Sequence, residues 1–222
     1  SDWAYQPTVK EQKDIRLDTN YYFWPPEWVN DRPGFFTGSG MPMRFADLDG
    51  TMFDVYQATT QMTDESGQSY PNTINALISR ALGAEGYYGV FTANMHTDTL
   101  NSPASDAIVS TAQANSVPVI SGRQLLAWVD GHNLSAFSGI NWNGNALDFH
   151  VSVGGGANGL YAMLPTQSNA GPLVSITHNG SPVTYTTETI KGIEYANFLA
   201  PGGDYQALYS VDSIPPVISN IV

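Results

Sequence analysis

The hydrophobic pattern of this chain changes period at Gly131, and that change limits its folds more than any other feature. Before Gly131, apolar residues recur at helical spacing or in short continuous runs. Beyond it no helical period survives, and short alternating runs are separated by turn residues, as in half-buried strands. The first pattern packs helix against sheet, the second sheet against sheet. The expected organisation is two domains, 1–131 and 132–212. Residues 213–222, SIPPVISNIV, read as a linker to a further module.

The first region alternates strand and helix. Ile15–Phe23 is β-like, carries Asp18 near its middle and stops at Trp24-Pro25-Pro26. A Gly/Pro-rich loop, Asn30–Pro42, precedes two extended runs, Arg44–Ala46 and Thr51–Ala58, joined by Asp47-Leu48-Asp49-Gly50. Tyr70–Ala84 is a predicted helix, with Ser69 as cap and Pro71 in the first turn. Its one apolar face is Ile74, Leu77, Ile78, Ala81 and Leu82. Tyr87–Ala93 follows as a buried-type strand, and Ser105–Asn115 as a helix with Ile108, Val109 and Ala112 inward. Val117–Ser121 reads as a strand, and Arg123–Asp130 as a helix closed by Gly131. Alternation of this kind implies parallel strands joined by right-handed crossovers. Four or five strands make half of a barrel or a small open sheet.

The second region shows runs at Ile140–Asn145, Leu147–Val153, Leu160–Leu164, Leu173–His178, Val183–Thr187, Ile193–Leu199 and Tyr205–Tyr209, with a Gly154-Gly155-Gly156 break. Asn143-Gly144 and Asn179-Gly180 are hairpin-turn dipeptides. About seven strands in roughly 80 residues read as a β-sandwich. The fold class expected is therefore α/β, a partial barrel, followed by an all-β sandwich.

Charge and composition exclude several classes. The net charge is −12, and lysine occurs only at positions 10, 13 and 191. Nucleic acid and anionic membranes both require a basic face. No apolar run approaches the ~20 residues of a membrane span. The absence of cysteine removes disulfides, thiolate metal sites and thiol redox chemistry. A surface rich in Tyr, Trp, Asn, Thr, Ser and Gly suits an extracellular protein that meets neutral ligands such as sugars. A chain opening Ser1-Asp2-Trp3 is expected of a mature or truncated secreted protein.

In parallel α/β folds the carboxyl ends of the strands converge on one face. Those ends supply Asp18, then Asp47 and Asp49, then Asn94, His96 and Asp98, then Ser121 and Arg123. A histidine among carboxylates is what a general acid or a metal site needs. The same residues also read as a capped loop histidine and a tight Asp/Gly turn. His132, His150 and His178 read as structural.

Phe45–Asp54, FADLDGTMFD, matches the D-x-D-G-T signature of haloacid-dehalogenase-type phosphatases, with Phe91-Thr92 as the match to a second motif. That resemblance implies Asp47 as nucleophile, Asp49 as general acid and a bound Mg²⁺. The phosphate-binding lysine it requires is missing, since no lysine lies between Lys13 and Lys191.

A broader resemblance rests on Ser1-Asp2-Trp3, Ile15–Tyr22, Thr37–Gly50, Asp54-Val55-Tyr56-Gln57 and Gly89–His96. These segments resemble the C-terminal half of secreted bacterial polysaccharide-deacetylase-like proteins, in which a β-sandwich and further modules follow. The resemblance implies a distorted β/α barrel and metal-dependent removal of acetyl groups from sugars. It implies His96 as the acid that protonates the leaving group and Asp18 as its orienter or a groove wall. Asp47, Asp49, Asn94 and Arg123 would line the same rim. If the chain is instead a non-enzymatic sugar-binding module, Tyr21 and Trp24, with Tyr22 and Trp28, would offer stacking platforms for a polysaccharide or oligosaccharide. The family's base and metal ligands lie in an Asp-Asp and a His-x-x-x-His motif, and neither is in this chain. No residue here is therefore assigned to a metal. A divalent ion such as Zn²⁺ is expected only if the missing half is supplied, and the chain alone is expected to be inactive. A non-enzymatic carbohydrate-binding or spacer module is the alternative.

Half a barrel leaves an apolar edge that something must cover. The loop Asn30–Pro42, the sandwich or a second copy are the candidates, so a homodimer through this edge is one expectation. Another is an apolar interface between the domains built on Trp128 and Trp142.

Overall fold

The computed structural model describes residues 4–20, 40–65, 67–84, 86, 89–98 and 100–211. The fold is mixed α/β, with more strand than helix. It divides into two compact units, Ser1–Gly122 and Arg123–Val222.

In the first unit, helix α1 (Tyr5–Gln12) leads into β1 (Leu17–Asp18), a two-residue strand. β2 (Met43–Ala46) and β3 (Met52–Gln57) form an antiparallel hairpin. β1 pairs in parallel with the far end of β3, Asp18 beside Gln57, giving the sheet order β1-β3-β2. Phe53 and Val55 point into a small core with Ala4 and Phe45. The chain continues into β4 (Thr60–Thr63), all four of whose residues are buried. β4 pairs in parallel with β5 (Thr92–Asn94). Helix α2 (Asn72–Leu82) buries Ile74, Leu77 and Ile78 against Met62, Ile108 and Ala112. Helix α3 (Pro103–Ala114) begins at Ser102, whose hydroxyl accepts the Ser105 amide at 3.3 Å, with proline in its first turn.

The parallel pair β4–β5, with α2 between its strands, follows the expected alternation; β1 and β3 also pair in parallel, but β2 runs antiparallel and no helix among the described residues separates these three strands. Val117–Ser121 forms no strand: Pro118 has no N–H to contribute to a ladder, and Val119 and Ile120 lie exposed. Pro71, rather than Ser69, occupies the cap position of α2. The expected loop Asn30–Pro42 lies almost wholly outside the described residues, as do Tyr21, Tyr22, Trp24, Trp28, Phe23, Phe35 and Phe36.

Helix α4 (Gly122–Leu134) lies, from Arg123 on, in the second unit. It runs straight through Gly131, which was expected to end it. The reason is packing. A Cβ on Gly131 would stand 2.5 Å from both the Gly155 carbonyl oxygen and the Ala157 amide nitrogen. Glycine here lets the helix lie directly on the Gly154–Gly156 loop, a use unrelated to capping. The Trp128 indole donates to the Asn158 carbonyl at 3.0 Å within this unit, and Trp142 tilts against Tyr209.

Two antiparallel sheets follow. The larger has the order β11-β10-β14-β7-β6, with β9 also pairing β10. Its strands are β6 (Ala136–Asn143), β7 (Ala146–Ser152), β9 (Gln167–Ser168), β10 (Gly171–His178), β11 (Ser181–Pro182) and β14 (Gly203–Tyr209). The smaller runs β12-β13-β8, from β8 (Tyr161–Pro165), β12 (Thr186–Ile190) and β13 (Ile193–Leu199). Alternate residues of both sheets share one core, including Phe149, Val151, Ile176, Ala196, Phe198, Tyr205 and Tyr209. The rings of Phe149 and Tyr205 stack at 5.2 Å, and Phe198 tilts against Tyr205 at 5.8 Å. Asn179-Gly180 closes the β10–β11 hairpin with both φ angles positive (48° and 81°), as a type I′ turn requires. Lys191-Gly192 makes the same kind of turn between β12 and β13 (52° and 83°).

Candidate functional site

β4 and β5 lie side by side in parallel, Thr63 opposite Asn94. Their carboxyl ends therefore open at the same level, and the residues leaving them meet. Asp64 follows β4, and His96 lies two residues beyond β5. One Asp64 oxygen accepts the His96 backbone N–H at 3.0 Å, and the other lies 2.9 Å from the imidazole Nδ1. On the opposite side of the ring, Nε2 is 3.5 Å from a Glu65 oxygen. The imidazole is thus held at both nitrogens by acidic side chains while 56% of its side-chain surface stays exposed.

The electrostatics follow from that geometry. The Asp64 hydrogen bond, and then the charges of Asp64 and Glu65, raise the His96 pKa above the ordinary histidine value. Reciprocally, the His96 backbone and ring hydrogen bonds hold the Asp64 carboxyl below the usual carboxylate range. Asp64 thus fixes the ring, and the carboxylates around it favour the charged imidazole.

A second layer steadies Asp64. Gln68 Oε1 accepts the Thr63 amide at 3.2 Å, and Gln68 Nε2 donates to the Gln61 carbonyl at 3.0 Å. The Thr63 hydroxyl accepts the Glu65 amide at 3.3 Å. The Tyr70 hydroxyl sits 3.2 Å from Gln68 Oε1 and 3.3 Å from the Thr63 carbonyl, and burial pushes its pKa up to about 12. It therefore stays protonated and serves only as a strut.

The other expected site residues lie elsewhere. Asp18 does not orient His96. It is buried at 6% exposure, forms an ion pair with Lys10 and accepts the Asn20 amide at 2.8 Å. It ties α1 to the end of β1, and Asp64 takes the orienting place. Asp47 and Asp49 do not share a rim with Asp18. Because β2 is antiparallel, its carboxyl end falls at the amino end of β3, whereas Asp18 pairs at the carboxyl end of β3. Both carboxylates cap their own turn: Asp47 Oδ1 accepts the Leu48 amide at 2.7 Å and Asp49 Oδ1 the Thr51 amide at 2.9 Å. The Thr51 bonds lower the Asp49 pKa. The D-x-D-G segment is turn chemistry on an exposed hairpin, and Asp54 is engaged by Arg16 at 2.7 and 2.9 Å. Asn94 ends β5, exposed, two residues before His96, and Arg123 is exposed near the start of α4. Tyr21 and Trp24 fall outside the described residues.

Asp64 and Glu65 were the residues the sequence reading missed. The signal was present: they follow the β-like run Thr60–Thr63 directly, by the same strand-end rule that singled out His96. Among the described residues, no three His, Asp or Glu side chains are grouped so as to hold a metal ion. Also among them, no helix is long and apolar enough to cross a membrane. Comparison with protein-family models, curated proteins and solved structures finds no match.

Proposed function

We propose that this chain is part of an extracellular carbohydrate-active protein resembling the metal-dependent polysaccharide deacetylases, a partial β/α barrel followed by a β-sandwich. In this reading His96 protonates the departing sugar oxygen or nitrogen as the acetyl group leaves, and Asp64 orients the imidazole and favours its charged form. The observation that carries the reading is the His96–Asp64 pair at the carboxyl ends of adjacent parallel strands, where such folds place their chemistry. The described residues do not group into a metal-binding set. In this reading the base and any metal ligands come from the Asp-Asp and His-x-x-x-His motifs of the family, which this sequence does not contain.

One observation favours the non-enzymatic alternative, a carbohydrate-binding or spacer module. The outer face of the larger sheet carries a polar ladder. Asp148 and Gln206, paired across β7 and β14, bond at 2.8 Å, and His150 and Asp204 at 2.6 Å. Asn141 and Ser138 stand beside them on β6. Flat arrays of amide, carboxylate and imidazole groups suit sugar hydroxyls.

The test is retention of the chain on acetylated chitin and xylan, with acetate release measured in parallel with added Zn²⁺ or Co²⁺. Retention without release is expected. Release by this chain alone would place the base and metal set within it. Failure of both retention and release would remove the carbohydrate reading altogether.

A further inference from the structure

Strand β6 carries an apolar strip that the described residues cover only in part: Phe137 meets Phe149 edge-on and Trp142 tilts against Tyr209. Phe137 pairs with Val151 and Trp142 with Leu147, so both face the inner side of the larger sheet. They are five positions apart and in a regular strand would point to opposite faces. A bulge between Ser138 and Asn141 inserts one extra residue, with Gly139 at φ 58°, and restores them to the same face. The smaller sheet is three strands wide and the larger five along its path, so the smaller does not span the whole inner face. The uncovered part is the edge strand: Phe137 is 52% exposed, Ile140 67% and Trp142 45%.

We propose that a second copy of the chain covers this strip, by antiparallel pairing of β6 with β6 about a two-fold axis. Two features single out a second copy. Among the described residues β6 pairs only with β7, so it offers a backbone edge and an apolar face together; the occupant must supply both, and β6 itself does. In a chain of net charge −12, like-charged surfaces repel, yet Ala136–Asn143 contains no charged residue, so self-pairing brings no like charges together. Centring the axis between Gly139 and Ile140 sets Phe137 of one copy opposite Trp142 of the other, twice, and Ser138 opposite Asn141. The rings, the isoleucines and the strand backbones together bury on the order of 1,000 Å², enough for a reversible, weak dimer. This inference is independent of the carbohydrate reading.

Sedimentation equilibrium of the whole chain tests it, with expected dimerisation in the range of about 1–100 µM. Ile140→Lys places a charge on the edge at an exposed position and should weaken the dimer at least tenfold while circular dichroism stays unchanged. The chain has no cysteine, so a second test needs no background removal. Copies carrying Ser138→Cys mixed with copies carrying Asn141→Cys should form a cross-linked pair faster than either variant with itself. Three results overturn the proposal: a monomer throughout that range, a dimer indifferent to Ile140→Lys, or no preference in cross-linking. A monomer whose Trp142 fluorescence shifts with added oligosaccharide would assign the strip to sugar instead.

Discussion

The two units bury different kinds of side chain. The second is built around aromatic and aliphatic residues contributed by both of its sheets, with Phe198, Ile176 and Ala207 almost wholly inaccessible. The first, among its described residues, has two smaller apolar clusters and buries several polar side chains as well: Asp18, Thr60, Gln61, Thr63 and Thr73. Burial of apolar area needs no particular partner geometry, whereas each buried polar group depends on one specific hydrogen bond or ion pair. Gln61 shows the dependence: its Oε1 accepts the Thr92 amide at 2.9 Å across the irregular β4–β5 register, while its Nε2 has no partner among the described residues. The first unit therefore gains a positioned site at the cost of a less forgiving interior.

The largest expected effect tests the second unit. Phe198→Ala should cost about 3–5 kcal/mol, the usual loss for deleting a core phenylalanine. Hydrogen exchange should accelerate along β7 and β14, which face it in the core. A loss below 1 kcal/mol would show that the two sheets close up around the gap.

Next comes the matching test of the first unit. Lys10→Ala leaves Asp18 buried without its partner and should cost about 3 kcal/mol. Asp18→Asn in the Lys10→Ala background should recover part of that loss, because the unpaired charge is gone. No recovery would mean that the lysine acts through its aliphatic stem.

Gly131→Ala sharpens the role of close backbone approach in the second unit. Helix propensity alone favours alanine by about 1 kcal/mol. The contact with Gly155 and Ala157 opposes it, and a net loss of about 1–3 kcal/mol is expected. A thermal midpoint that rises would refute the contact.

The smallest effect on stability, and the most informative for the site, is that of Asp64→Asn. Imidazole titration by NMR should place the His96 midpoint above the ordinary value in the native chain and move it down in the variant. The sign of the linkage is definite. A histidine whose pKa is raised on folding contributes stability below its unfolded pKa, and that contribution disappears as pH rises through the folded value. The lowered Asp64 pKa contributes above its unfolded value and is lost as pH falls through the folded one. Both contributions are full between the unfolded pKa of Asp64 and the unfolded pKa of His96, and each fades as pH moves outward through the corresponding folded value. An unchanged midpoint in the variant would leave His96 without an orienter.

Local pattern alone placed the α2 helix through the spacing of Ile74, Leu77 and Ile78, the change from helical to alternating period, and the turn at Asn179-Gly180. Each depends on residues within one turn or one face, where side-chain periodicity and backbone preference act without distant partners. His96 as a strand-end residue was legible for the same reason. Tertiary structure alone decided the rest. The antiparallel direction of β2 moved Asp47 and Asp49 away from the end of the sheet where Asp18 lies, because strand direction depends on which neighbour supplies hydrogen bonds. Gly131 looked like a helix stop and became a contact point, because only the folded chain brings residues 154–156 against it. Lys10 took Asp18 and Asp64 took His96, pairings across 8 and 32 residues. A sequence shows which side chains can ionise, but the fold decides which of them meet.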